Sequence, residues 1–243
     1  MSAPKQDERT YRLRIFADIN GLGPIARVED QHGKPGPLEE TVKLFHQYGF
    51  EPMSARDWAY ACINLGIASD ICQKPSTLRD GAAHISRPEP RIILVRETPM
   101  LEHHEYATHA HEAKLEFTIK KQLEEAYLHK INSNDKSVLE ILKSDLITTK
   151  YFAGNKTMRY FFQDQVQDIG LLFDQNKIRD SSILIEYLED VKEHKRPYVK
   201  NLWYGGVPGN HAIFSLRHRI LHKPDILIWG TKIPEKNKIP KKF

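Results

Sequence analysis

The sequence predicts an α+β fold, a mixed sheet with flanking helices in a single compact domain spanning 1–243. Three observations carry that reading. Tyr11 to Asp18 alternates apolar and polar residues, the mark of a half-buried strand. Leu38, Val42, Phe45 and Tyr48 recur at helical spacing, so they share one face. RIILVRE, Arg91 to Glu97, is a short apolar run typical of a buried strand. Strands and helices therefore interleave, as in a mixed sheet covered by helices.

The remaining elements follow from local chemistry. NGLGP, after the first strand, reads as a turn, with Asp18 and Asn20 as its caps or as acidic-site residues. HGKPGP, His32 to Pro37, is a loop; the helix after it carries glutamates in its first turn and ends at Gly49. Ala55 to Ile67 reads as a helix capped by Ser54. QKPSTLRDGAAHISRPEP reads as a long loop with a basic lining. Gln122 to Ile131 is helical, and SNDKSVLEILKSDLI is read as a second helix capped at Ser133, Asn134 or Asp135. A domain boundary near Asn132–Asp135 is open but not required. KYFAGNKTMRYFFQ reads as a hairpin turning on Gly154-Asn155. SSILIEYLEDVKEH reads as a helix, LWYGGVPGNH as a Gly-rich loop, and AIFSLRHRIL and PDILIWG as strand-like runs.

Composition narrows the class. The 243 residues are 40% hydrophobic and 28% charged, with a mean hydropathy of −0.55. That supports a real core in a soluble chain. No apolar run approaches the roughly 18–20 residues of a membrane helix. The N-terminal MSAPKQDERTYR lacks the apolar core of a signal peptide, so a cytoplasmic protein is expected. Cys62 and Cys72 are then read as reduced thiols, and their spacing fits no standard zinc pattern. The net charge is +4 and the isoelectric point about 8.9. Basic residues cluster in ISRPEPRIILVRE, in SLRHRILHK and in the tail 231–243. Such patches suit a phosphate backbone, and a solvated surface explains them as well.

The segment EHHEYATHAHEAKLEFTI, 102–119, is the densest in candidate chemistry. His104 and His109 stand at i and i+5, one residue too far apart for a His-Glu-x-x-His zinc helix. Glu105 and His109, at i and i+4, leave a carboxylate–imidazole pair open. His109-Ala110-His111 resembles the His-x-His of rolling-circle nucleases, with Tyr127 and Lys130 as a Tyr-x-x-Lys. From Ala113 to Ile119 the run alternates strictly, which favours a strand on whose polar face Glu112 and Lys114 sit together.

A strand presenting Glu112-Ala113-Lys114, with Pro224-Asp225 opening another apolar strand, resembles the PD-(D/E)xK nuclease superfamily, its two pieces in permuted order. The resemblance implies a DNA-acting restriction-type hydrolase. Asp225 and Glu112 would be Mg²⁺ ligands and Lys114 the catalytic lysine, for metal-dependent phosphodiester cleavage. Arg217, Arg219 and Lys223 would hold phosphate. A palindrome-cutting enzyme would tend toward a two-fold homodimer.

His222 and Asp225, three apart, are also similar to the late His-x-x-Asp of Pab-type restriction DNA glycosylases. That resemblance implies metal-free adenine excision, with Asp225 polarising water and His222 assisting. Tyr60, Trp203 or Tyr204 would hold the flipped base. Trp203 and Tyr204, beside the Gly-rich loop, suit stacking on bases or a place in the core. A third reading is a non-catalytic nucleic-acid-binding protein using the same basic patches.

Overall fold

The computed structural model describes residues 10–86, 88–96, 98, 116–118, 121–141, 146–149, 152–178, 180–185, 191–192, 198–207, 211–216 and 227–233. In chain order the elements are β1 (Tyr11–Ile19), β2 (Gly23–Asp30), α1 (Leu38–Tyr48), β3 (Phe50–Pro52), α2 (Ala55–Leu65), α3 (Asp70–Gln73), β4 (Ser76–Ile85), β5 (Arg91–Val95) and β6 (Glu116–Thr118). There follow α4 (Lys121–Asn132), β7 (Val138–Ile141), β8 (Leu146–Thr149), α5 (Lys156–Phe162), α6 (Val166–Gln175), β9 (Asp180–Leu184), β10 (Tyr198–Tyr204), β11 (His211–Ser215) and β12 (Trp229–Lys232). The α+β architecture is as the sequence predicts.

Two sheets divide these strands. The smaller runs β1-β2-β12-β3, so a strand from the C-terminal part of the chain sits inside an N-terminal sheet. The larger runs β7-β5-β4-β10-β11-β9-β8. It is mixed, because β11 and β9 pair in parallel while its other pairs are antiparallel. On one edge β10 pairs with β4; on the other, β6 takes Tyr198–Lys200 and β11 takes Trp203–Tyr204. The sheets are stitched together by backbone bonds: Thr77 N–H donates to Leu227 O at 3.0 Å and Arg79 N–H to Met53 O at 2.8 Å.

Both faces of the larger sheet are covered at its centre. Ile92 and Leu94 of β5 face a core built with Trp58, Phe152, Phe161, Phe162, Phe173 and Phe214. Ile93 and Val95 face a second cluster with Ala83, Ile85, Val199 and Tyr127 of α4. A strand buried on both faces loses its period-2 signal. This is why β4, buried at nine of its ten positions, has no alternation to find. The loop expected over 73–90 is therefore corrected: its middle is a central strand.

Other expectations divide on similar physics. Helix α1 ends at Gly49 in the left-handed conformation (φ 71°), and Ser54 caps α2 by accepting from Asp57 N–H. The strands at Tyr11–Ile19 and Arg91–Val95 and helix α4 also fall where the sequence places them. The helix expected over 133–147 is instead β7 and, after the segment 142–145, β8. The hairpin expected at Gly154-Asn155 is a helix start, since the Asn155 Oδ1 accepts from the N–H groups of Thr157 and Met158. The helix expected from Ser181 begins as strand β9, paired along its length with β11 and β8. Leu202 to Tyr204, expected in the Gly-rich loop, belong to β10. Cys62 and Cys72 are free thiols buried in the core. Among the described residues no helix is long and apolar enough to cross a membrane.

Candidate functional site

A cleft of about 580 Å³ opens where α2, β4, β5 and the α5–α6 junction meet, lined by Ser54, Arg56, Asp57, Arg79, Asp80, Arg96, Gln163 and Asp164. Its floor is the start of α2. The Ser54 hydroxyl donates to Asp57 Oδ2 at 2.7 Å and accepts from Asp57 N–H at 3.1 Å. The first amide of the helix, Ala55 N–H, donates to the Asp80 carboxylate. A carboxylate there meets both an orphan donor and the positive end of the helix dipole. Asp80 is 1% exposed, so α2 and β4 are locked together by a buried carboxyl group.

Three arginines surround that floor, and each is positioned by a different element. Arg56 of α2 donates Nε and Nη2 to Asp164 at 2.6 and 2.9 Å. That pairing holds the Asp164 carboxyl down at about 2. Arg79 of β4 pairs its Nη1 with Glu51 Oε2 at 2.7 Å. Arg96, just beyond β5, donates Nε to the backbone carbonyl of Tyr160 at 3.2 Å and lies over the Tyr160 ring, 4.6 Å from its centroid. The Tyr160 carbonyl belongs to the last turn of α5, where carbonyls lack helical partners, so Arg96 also caps that helix. Tyr160 is itself fixed, its hydroxyl donating toward Leu94 O and Ser137 O at 3.0 and 2.6 Å. Burial pushes its phenol well above the ordinary range. Gln163, at the cleft wall, has φ of 51°, a conformation that costs a side-chain-bearing residue about 1–3 kcal/mol.

Chemically the cleft lining can engage charged and polar groups. It offers guanidinium donors and carboxylate acceptors on rigid supports. It holds no Cys or His among its lining residues, and its one hydroxyl, that of Ser54, is bonded to Asp57 at the start of α2. No group of three or more His, Cys, Asp or Glu able to hold a metal occurs among the described residues.

The residues nominated from sequence fare differently. Glu112, Lys114, Arg217, Arg219, His222, Lys223 and Asp225 lie outside the described residues, as do the histidines of 103–111 and most of the basic tail. The Mg²⁺ site they were to form falls there too. Tyr204 is described, and it corrects the base-stacking expectation. It is fully buried, its ring 4.4 Å from that of Trp58, and its hydroxyl donates to Cys72 O. Tyr60 donates its hydroxyl to Asn20 O at 2.9 Å, and Asp18 and Asn20 are exposed at the end of β1. None of these lines the cleft. Sequence reasoning passed over the cleft residues because they are far apart in the chain. Arg79 and Asp80 fall in an expected loop, and Arg96 in a basic cluster that suits a phosphate backbone. The one local signal was the Ser54 cap, which placed the start of α2.

No family model matches the chain, and no curated protein matches its sequence. Among solved structures the chain is similar to a protein in work on the accommodation of massive sequence variation in Nanoarchaeota by the C-type lectin fold. The two are 12% identical; the match covers 94% of this chain and 99% of that one, with a TM-score of 0.59. The likeness is one of fold. It overturns the resemblance to PD-(D/E)xK nucleases and to Pab-type glycosylases. With that resemblance goes the expected restriction-type hydrolase acting on DNA. Two eight-residue pieces in permuted order resemble a nuclease, whereas the described residues build a different topology.

Proposed function

We propose that the chain is a recognition protein that binds a small polar molecule in the charged cleft between α2, β4 and the α5–α6 junction. One observation carries this reading. The lining charges are held by partners on separate rigid elements, so the cleft is organised before any ligand arrives. Sites on helices and strands keep their geometry better than sites on loops, and pre-organisation lowers the cost of binding. The similar C-type lectin fold protein is described as accommodating massive sequence variation, and the two chains share a fold at 12% identity. A scaffold of that kind separates the core that folds from the side chains that recognise.

The test is a binding screen on the full chain, using small charged and neutral polar molecules and mapping amide shifts by NMR. The expected outcome is a ligand whose shifts centre on Ser54, Arg79, Arg96 and Gln163, and which mass spectrometry recovers unchanged. Shifts centred elsewhere, chemical conversion of the ligand, or no binder at all would overturn the proposal.

A further inference from the structure

Resting on the reading of the cleft as a ligand site, we infer that its ligand carries a single carboxylate, anchored by Arg96, together with a hydroxyl or amino donor. Two of the three arginines that line the cleft are already paired with carboxylates. Arg56 spends Nε and Nη2 on Asp164 and has Nη1 3.7 Å from Asp57 Oδ1. Arg79 is paired with Glu51. Arg96 differs: its Nε bond goes to a neutral carbonyl and its face to a ring, and no carboxylate meets its terminal nitrogens among the described residues. Its planar head is thus held by one residue, Tyr160, and Arg96 lines the cleft. Two parallel N–H donors on one plane match the two oxygens of a carboxylate.

The charge of the lining then separates carboxylate from phosphate. Three arginines stand against Asp57, Asp80 and Asp164, so the side chains sum to zero. A dianionic phosphate would gain one engaged cation and face three carboxylates. A monoanion meets Arg96 with less repulsion. Donors elsewhere on the same molecule find acceptors in Asp57, whose side chain is 17% exposed, and Asp164, 57% exposed. Acidic sugars and free amino acids both have this chemistry.

Matched pairs test the inference. The full chain is titrated with glucuronate against glucose, with alanine against alaninamide, and with inorganic phosphate. At least one carboxylate should bind about 10-fold or more tighter than its neutral partner, as expected for a charged bidentate contact. The pair that shows the difference identifies a sugar or an amino-acid ligand. Arg96→Gln should erase the difference, and Arg96→Lys should recover part of it through charge alone. Both variants are first checked for an unchanged NMR fold. Equal binding within both pairs, tighter binding of phosphate, or a preference that survives Arg96→Gln would overturn the inference. If glucose or alaninamide still shifts the cleft amides, the recognition reading stands while the carboxylate assignment falls. If none of the five probes shifts the cleft amides, the carboxylate assignment falls by that result, and the wider screen alone decides the recognition reading.

Discussion

Arg56 grips Asp164 edge to edge across 108 residues of sequence, Nε to Oδ1 at 2.6 Å and Nη2 to Oδ2 at 2.9 Å. The pair joins the first turn of α2 to the turn between α5 and α6, and so sets the width of the cleft mouth. Arg56 holds the Asp164 carboxyl at about 2, against about 3.9 in an unfolded chain. A carboxylate depressed in the folded state stabilises above its unfolded value, and that contribution disappears as pH falls through the folded value. Both side chains are substantially exposed, so solvent screens the pair and its worth is about 0.5–1 kcal/mol. Asp164→Asn should therefore lower urea stability by that amount at pH 6. The gap from wild type should close between about pH 4 and 2. A constant gap across that range would mean the pair does not depend on ionised Asp164.

Glu29 makes a stronger acid-sensitive contact on the smaller sheet. Its carboxylate is 1% exposed and accepts from Arg14 at 2.9 Å and Arg27 at 2.7 Å. Burial pushes its carboxyl up, but the two guanidiniums together outweigh that and hold it below the ordinary range. Glu29→Gln keeps the shape and removes the charge. Arg14 can return to water, being 60% exposed, whereas Arg27 at 15% cannot do so easily. The expected loss is about 2–3 kcal/mol in denaturant unfolding at neutral pH. A loss below about 0.5 kcal/mol would show that the arginines find equal partners elsewhere.

Gly81 has no room for a side chain. A Cβ there would stand 2.1 Å from the Lys200 carbonyl oxygen, 2.7 Å from Thr98 Cγ2 and 3.0 Å from Asn201 Cα. The approach is close because the β4–β10 pairing slips between Asn201 and Trp203. Asn201 fills the irregularity by donating Nδ2 to Leu78 O at 2.9 Å and Thr98 Oγ1 at 2.7 Å. Backbone cannot yield as a side chain can, so Gly81→Ala should cost about 3 kcal/mol or more. Gly205→Ala would meet the Trp203 ring instead, a neighbour able to turn, and should cost less. Thermal unfolding of the two variants checks that order.

The same glycine shows what the sequence could convey. Elements half in water kept their period: β1, α1 and α2 are legible because one side is solvated and their ends carry caps. Of the strands covered on both faces, β5 is legible by its unbroken apolar run and β4 is not: Gly81, Ala82 and Ala83 look like loop residues, yet they form the middle of a buried strand. Strand β9 was read as a helix because its apolar residues gain their meaning only from parallel pairing with β11. The cleft was illegible for a related reason. Ser54, Asp80, Arg96 and Asp164 meet only after the larger sheet and three helices are packed, and no local spacing foretells that. The short motifs that did stand out, Glu112-x-Lys114 and His222-x-x-Asp225, suggested a chemistry that the fold does not share.

Asn155 offers a case where one residue has two local meanings and a measurement separates them. After Gly154 it looks like the second residue of a tight hairpin turn, where its value would be tolerance of positive φ. In the structure its φ is −78° and its Oδ1 accepts from Thr157 N–H at 2.9 Å and Met158 N–H at 3.0 Å. Its worth is therefore as an acceptor for orphan helix amides. Helix α5 supplies Met158, Phe161 and Phe162 to the core and Tyr160 to the seat of Arg96. Losing the cap should loosen both. Asn155→Ala should cost about 1 kcal/mol. Asn155→Asp, which keeps the acceptor and places a negative charge at the helix start, should be neutral or slightly stabilising. Equal losses for Ala and Asp in chemical denaturation would reject the cap as the source of stability at this position.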